Sequence, residues 1–261
     1  AGKTLAHFLK KPFIAINHLE GHALSIKLER DISYPYLLLL VSGGHTEFTI
    51  IKNFNSYKRL GTTIDDALGE AFDKTARMLN LGYPGGPQIE NYAKKGNEDR
   101  FILPMPLINE KTSHFSFAGL KSAVAKIVNE HRCTEKFKGD MSASFQKTIN
   151  KIIFTKTKNA ISEYKKLLKR NKDIKIVVAG GVAANKSIRQ TLKHLEEEVD
   201  CEFLFPSIKY CTDNGAMIAL AGIERFERKK FNKLDFKPRP RWPLDKNAKF
   251  LKGKRVIEGK Y

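Results

Sequence analysis

Two hydrophobic periods alternate along this chain. Tyr36 to Val41 is an unbroken apolar run, the pattern of a strand buried on both faces, and it ends in Ser42-Gly43-Gly44. Thr46 to Ile51 then alternates polar and apolar residues, so the glycine turn between the two runs predicts a hairpin. From Asp65 to Leu79 the spacing becomes helical, with Leu68, Ala71, Phe72, Ala76 and Leu79 on one face. Gly82 stops that helix ahead of a turn at Tyr83-Pro84-Gly85-Gly86-Pro87. Helices are expected over 117–131 and 142–169. A buried strand, Ile174 to Val178, should run through Gly180-Gly181 into a helix starting near Asn185. A strand at Cys201 to Phe205 and a helix over 214–228 follow. Ahead of the hairpin, Ala1 to Lys10 reads as a helix without an N-cap, Phe13 to Ile16 as a short strand and His18 to Glu29 as a helix. Strands alternating with helices make this an α/β protein.

Composition narrows the class. Of 261 residues, 41% are hydrophobic and 29% charged, which suits a folded globular chain rather than a disordered or fibrous one. The longest apolar run falls far short of the roughly 20 residues a bilayer span needs, so no membrane role is expected. Cys133, Cys201 and Cys211 form no C-x-x-C pair, which points away from a disulfide scaffold and towards a reducing compartment. The formal net charge of +19 suggests a polyanionic partner. More than half of that excess lies between Arg225 and Tyr261, where 14 basic and 4 acidic residues are interleaved with Phe231, Phe236, Trp242 and Tyr261. That mixture suits a nucleic-acid backbone with stacked bases, or a solvated basic tail.

Four clusters carry candidate chemistry. His18 and His22, four apart in HLEGH, share one helix face at a spacing that zinc or iron can use. Glu20 lies about 200° around that helix and could not act as base for the same metal, unlike the glutamate of H-E-x-x-H proteases. Ser42-Gly43-Gly44-His45-Thr46 reads as a phosphate-type turn or an ordinary tight hairpin. Ala179-Gly180-Gly181-Val182-Ala183-Ala184-Asn185 is a strand–glycine–helix junction of the nucleotide-binding kind, without the G-x-G-x-x-G or P-loop pattern. Asp65, Asp66, Glu70 and Asp73 crowd the start of a helix, where dipole complementation explains Asp65 and Asp66 well and Asp73 poorly, since Asp73 sits two turns in. Before the last helix, Thr212 or Asp213 reads as an N-cap.

The order of these elements is that of the actin–hexokinase–chaperone ATPase superfamily, and the strings are more specific. NHLEGHALS (17–25), LLVSGGHTEF (39–48), DDALGEAFDKTARMLNLGYPGGP (65–87), FSFAGLKS (115–122), AGGVAAN (179–185), CTDNGAMIALAG (211–222) and PRWPL (240–244) together resemble the TsaD family, of the bacterial or organellar type. The resemblance implies a two-lobed actin-like fold. It also implies transfer of a threonylcarbamoyl group from threonylcarbamoyl-adenylate to the N6 amine of the adenosine beside the anticodon, in tRNAs reading ANN codons. By the same resemblance His18, His22 and Asp213 ligate one divalent metal, iron or zinc. Substrate contacts fall on Leu40, Val41, Ser42, Gly43, Gly44, Asp73, Gly86 and Asn185, with an AMP- or ATP-type nucleotide at the strand–glycine–helix junction. His45 is a candidate to take the amine proton. Implied partners are tRNA and proteins of the TsaB and TsaE kind, in the cytoplasm or an organelle matrix.

The resemblance also sets an expectation about extent. The first phosphate hairpin of the family, with its GIETSCDET-like string, and a GPG-containing segment have no counterpart here. The expected organisation is therefore 1–36 as the remnant of an N-terminal lobe bearing the histidine helix, 37–208 as the C-terminal lobe, 209–245 as a closing helix and C-terminal segment, and 246–261 as a basic tail. Such a chain is expected to have little transferase activity alone and to expose an apolar face. Two rivals remain at this point: a metal-dependent protease, and a non-catalytic nucleotide- or tRNA-binding remnant.

Overall fold

A strand with no polar position must be covered on both sides, and Tyr36–Val41 (β1) is the centre of the sheet, every residue fully buried. The computed structural model describes residues 1–249 and, as backbone alone, 251–252 and 255–256. Thr46–Asn53 (β2) pairs antiparallel with β1, and Ser56–Thr62 (β3) pairs antiparallel with β2. On the other side Lys175–Ala179 (β4) runs parallel to β1, with Leu40 opposite Ala179, and Glu202–Leu204 (β5) runs parallel to β4. The sheet order is β3-β2-β1-β4-β5. Strands β1, β4 and β5 therefore end at the same edge. The connection into β4, with exposed Asn171 to Asp173, lies at the opposite edge.

Side chains of β1 alternate between two cores. Leu37, Leu39 and Val41 enter the larger one, with Leu68–Met78 (α3), Gly85–Ala93 (α4), Ala118–Glu130 (α5), Glu135–Leu168 (α6) and Lys186–Glu198 (α7). Tyr36, Leu38 and Leu40 enter the smaller one with Leu19 and Ala23 of His18–Leu24 (α2), which Asn17 caps through its Oδ1 on the Leu19 N–H at 2.9 Å. Ile208–Cys211 (α8) leads to Gly215–Glu227 (α9), which packs on α2. Gly2–Phe8 (α1) opens the chain with Leu5, Phe8 and Leu9 exposed, and Leu251–Lys252 (β6) pairs with Arg255–Val256 (β7).

The structure departs from the sequence reading in five places. The helix expected over His18 to Glu29 stops at Leu24 and is followed by a 3-10 turn, Ser25–Leu28. Phe13 to Ile16 makes a single bridge, from Phe13 to Asn232, rather than a strand. The 83–87 turn is already the entry to α4. Helix α6 begins seven residues early because Thr134 caps it, accepting the Phe137 N–H at 3.2 Å. Strand β3 has no apolar alternation to announce it, since as a sheet edge it buries only Leu60 and Gly61. Of the expected basic tail, residues 250, 253–254 and 257–261 lie outside the described residues, Tyr261 among them. Among the described residues no helix is long and apolar enough to cross a membrane.

Candidate active site

Parallel strands that end together collect their following loops at one edge, the place where open α/β sheets bind ligands. Here these loops are Ser42 to His45 after β1, Gly180-Gly181 after β4 and residues 205–214 after β5. The first is closed by the Ser42 N–H on the His45 carbonyl at 2.8 Å. The Ser42 hydroxyl accepts the N–H groups of His45 at 3.1 Å and of Gly44 at 3.4 Å, so Gly44 is only weakly held. Helix α3 sits directly beneath: Gly69 donates its N–H to the Ser42 carbonyl at 3.1 Å, and a Cβ at Gly69 would lie 2.7 Å from that oxygen. Gly180 has φ +98°, and a Cβ there would come 2.4 Å from the Val41 carbonyl, so the second glycine turn crosses the end of β1 and rests on the first.

The histidine pair meets its carboxylate at this edge. His18 Nε2 and His22 Nε2 each lie 3.0 Å from Asp213 Oδ1, with ring centroids 4.8 Å apart. The local pattern reads Thr212 or Asp213 as a helix cap, but that role belongs to Asn214, whose Oδ1 accepts the Met217 N–H at 2.9 Å. Asp213 is thereby free to face the histidines. Its side chain is 76% exposed and that of His18 48%, while His22 is 1% exposed, so the cluster is anchored at His22 and open at His18 and Asp213. Burial lowers the His22 pKa below the ordinary imidazole value and neighbouring His18 lowers it further, with Asp213 pulling the other way. His45 is lowered in the same manner, by the protein around its ring and then by His18. Burial works against the Asp213 carboxylate, yet hydrogen bonds and charge from His18 and His22 outweigh it and leave its pKa lowered. Two imidazole nitrogens and a carboxylate oxygen, all within 4.8 Å of one another, are the donor set zinc or ferrous iron accepts.

The remaining expected residues are placed unevenly. Leu40 and Val41 have fully buried side chains turned into the two cores, so only their backbone borders the edge. Asp73 Oδ1 accepts the Gly85 N–H at 2.8 Å, which ties α3 to the start of α4 beside Gly86. Asn185 is buried and engaged at both ends: Oδ1 caps α7 on the Ile188 N–H and Nδ2 donates to Gln146, each at 2.9 Å. Dipole complementation does not explain Asp65 and Asp66, because both precede α3. Asp65 instead caps α5, accepting from the Phe117 N–H at 2.7 Å and the Ser116 hydroxyl at 2.5 Å, and Asp66 pairs with Lys74 at 2.7 Å.

Two residues at this edge have no sequence signal. Glu90 on α4 accepts the Lys186 N–H at 2.8 Å, closing the N-terminus of α7 from a distant helix. Arg189 bonds the Ala183 carbonyl at 2.6 Å and the Pro206 carbonyl at 2.9 Å, joining the second glycine turn to the loop that carries Asp213. The aromatic residues of the basic stretch, by contrast, are partly used within the chain. Arg239 lies 5.0 Å from the Phe236 ring and 5.3 Å from Trp242.

Known proteins resemble the chain over most of its length. The family model TsaD, described as tRNA N6-adenosine threonylcarbamoyltransferase, matches residues 1–220. Proteins carrying that same name are 57% identical in Pelagibacter ubique, over 97% of this chain and 70% of the relative. In Rickettsia rickettsii (strain Sheila Smith) the identity is 48% over 93% of this chain and 71% of the relative. In Agrobacterium fabrum it is 48% over 97% and 70%. Among solved structures, HypF of T. kodakarensis superposes with a TM-score of 0.62 at 14% identity, over 87% of this chain and 38% of that one. A full-length HypF in its phosphate- and nucleotide-bound form gives 0.63 at 13% identity, over 88% and 38%. At that identity the likeness speaks for the fold alone, which is the actin-like ATPase arrangement.

Proposed function

The chain belongs to the TsaD family of tRNA N6-adenosine threonylcarbamoyltransferases, and from that premise we propose how its residues divide the work. His18, His22 and Asp213 hold one divalent metal, zinc or iron. When bound, such an ion supplies Lewis-acid stabilisation of negative charge developing on a substrate oxygen. The Ser42–Gly44 turn receives the phosphate and carbamoyl end of threonylcarbamoyl-adenylate through its backbone N–H groups, Gly44 being weakly engaged enough to turn outward. The adenosine part lies along Gly180-Gly181, with Asp73, Gly86 and Asn185 as its border.

The tRNA amine nitrogen forms a bond to the carbamoyl carbon. The bond from that carbon to the phosphate oxygen breaks, and AMP leaves with the electron pair. His45, whose pKa is lowered by the protein around its ring and then by His18, takes the amine proton. The tRNA backbone runs over the lysines that follow α9, and the work takes place in the cytoplasm. TsaB-like and TsaE-like proteins act as companions, and exposed Leu5 and Phe8 on α1, with Leu9 just after it, offer one of them an apolar surface.

The observation that carries this reading is the convergence of two imidazole nitrogens on one carboxylate oxygen, beside two glycine turns that rest on each other. The test is transfer of labelled threonine to an ANN-decoding tRNA with companion proteins supplied, alongside metal content by elemental analysis. His22→Ala should lose both metal and transfer. His45→Ala should keep the metal and lose about 10²-fold or more in transfer. A His22→Ala protein with full transfer would overturn the assignment.

A further inference from the structure

We propose that Arg225 is a positioning residue for the His18–His22–Asp213 cluster, acting through the buried carboxylate of Glu20; this rests on reading that cluster as a metal site. Metal-binding histidines are normally oriented by a hydrogen bond to their second ring nitrogen. His22 lacks that device: its Nδ1 is buried and meets no protein partner among the described residues. Apart from its packing and its contact with Asp213, the ring depends on how firmly its helix is held. Helix α2 has just seven residues, and it is fixed at its start by Asn17, which also donates through Nδ2 to the Trp242 carbonyl at 2.7 Å.

Glu20 sits midway between the two histidines on the opposite face of α2 and is 1% exposed. Its Oε2 accepts two bonds from Arg225, from Nε at 3.0 Å and Nη2 at 2.7 Å, while Oε1 accepts the Tyr57 hydroxyl of β3 at 3.1 Å. Three bonds on the back of the helix oppose its rotation. With side-chain tips about 5–6 Å from a helix axis, a 20° roll would carry the imidazole nitrogens about 2 Å. Metal sites tolerate about 0.2 Å.

Arg225 also belongs to the element that presents the third donor. It lies in the last turn of α9, the helix whose capping residue, Asn214, follows Asp213 directly. Gly21 of α2 lies against Met217 and Ile218 in the first turn of α9. The ion pair and that contact together lock the histidine helix to the carboxylate helix.

The probe is Co²⁺ alone, titrated into the full chain and followed by its visible absorption, without tRNA or nucleotide. Wild type should show the bands of a site with nitrogen and oxygen ligands, and His22→Ala should lack them. Arg225→Met should weaken Co²⁺ binding 10–100-fold and alter the bands. Arg225→Lys, which keeps the charge without the two-nitrogen fork, should recover part of the affinity. Arg100→Met, which breaks the separate Arg100–Asp140 pair, should lower thermal stability and leave the Co²⁺ affinity and spectrum at wild-type values. A folded Arg225→Met protein with wild-type Co²⁺ affinity and bands would overturn the positioning role while leaving the metal reading intact. Wild type and His22→Ala giving the same response would overturn the metal reading and this inference with it. If Arg225→Met does not fold, Glu20→Gln carries the same test with the same two outcomes.

Discussion

Alanine at Gly69 should impair the chemistry far more than the fold. A Cβ there would stand 2.7 Å from the Ser42 carbonyl, 2.8 Å from Gly43 Cα and 2.9 Å from the Gly43 nitrogen. Ordinary contact begins at 3.4 Å, so the Ser42-Gly43 turn must retreat by 0.5 to 0.7 Å. All three contacts lie in one turn, so its retreat relieves them together. Overpacking of this size costs about 1–3 kcal/mol, while alanine in a helix gains up to about 1 kcal/mol over glycine. The net loss of stability is about 0–2 kcal/mol, small enough for the protein to stay folded. A displacement near 1 Å at reacting groups costs about 10²-fold in rate, so this one should lower kcat/KM for threonylcarbamoyl-adenylate by about 10- to 100-fold. The assay pairs thermal unfolding with steady-state transfer kinetics. Gly222→Ala on α9, where nothing lies within 4 Å of an added Cβ, is the control and should be neutral or slightly stabilising. A Gly69→Ala protein that loses stability but keeps kcat/KM within about twofold would show that the Ser42–Gly44 turn does not touch the reacting groups.

Other perturbations separate the parts of the molecule. Asn214→Ala should cost about 1 kcal/mol in thermal stability through the lost cap. It should also weaken metal binding in equilibrium dialysis, because Asp213 is the next residue. Replacing Lys229, Lys230, Lys233 and Lys237 with glutamine should reduce the salt dependence of tRNA binding, by about 0.9 in log–log slope for each phosphate no longer neutralised. An unchanged slope would remove that stretch from the interface. Asp140 has its pKa lowered to about 2 by the Asn97 N–H and then by Arg100 and Lys136, against the opposing effect of burial. Since the folded value lies below the ordinary one, its stabilisation is complete above about pH 4 and is lost as pH falls towards 2. Asp140→Asn should therefore flatten the acid limb of an unfolding curve measured against pH.

Strand β1, helix α9 and the histidine pair are legible in the sequence because each rests on local pattern: an unbroken apolar run, a 3.6-residue period and an i,i+4 spacing. Helix α4 is not, since Pro84-Gly85-Gly86-Pro87 looks like a turn until the Asp73 carboxylate is seen receiving its first free N–H. Asp65 is opaque for a related reason. Its acceptors face Phe117, a partner 52 residues away, and a cap supplied from that distance leaves no spacing to recognise. Asp213 reads as a cap in the sequence, and its place beside the histidines is implied only by family resemblance. The tie between Glu20 and Arg225 spans 205 residues and has no sequence signal at all. What sequence reasoning captures here is the chemistry of short segments; what it misses are side chains that serve an element other than their own.

The polarity of the sheet has a practical consequence for anyone handling the molecule. Every loop assigned to chemistry leaves the carboxyl ends of β1, β4 and β5, whereas Asn171 to Asp173 lie exposed at the other end of β4. An affinity handle or fluorophore grafted there would anchor the protein by its back. Immobilised in that orientation, it would present the glycine turns and Asp213 to the bulk phase, where a macromolecule the size of tRNA has room to approach.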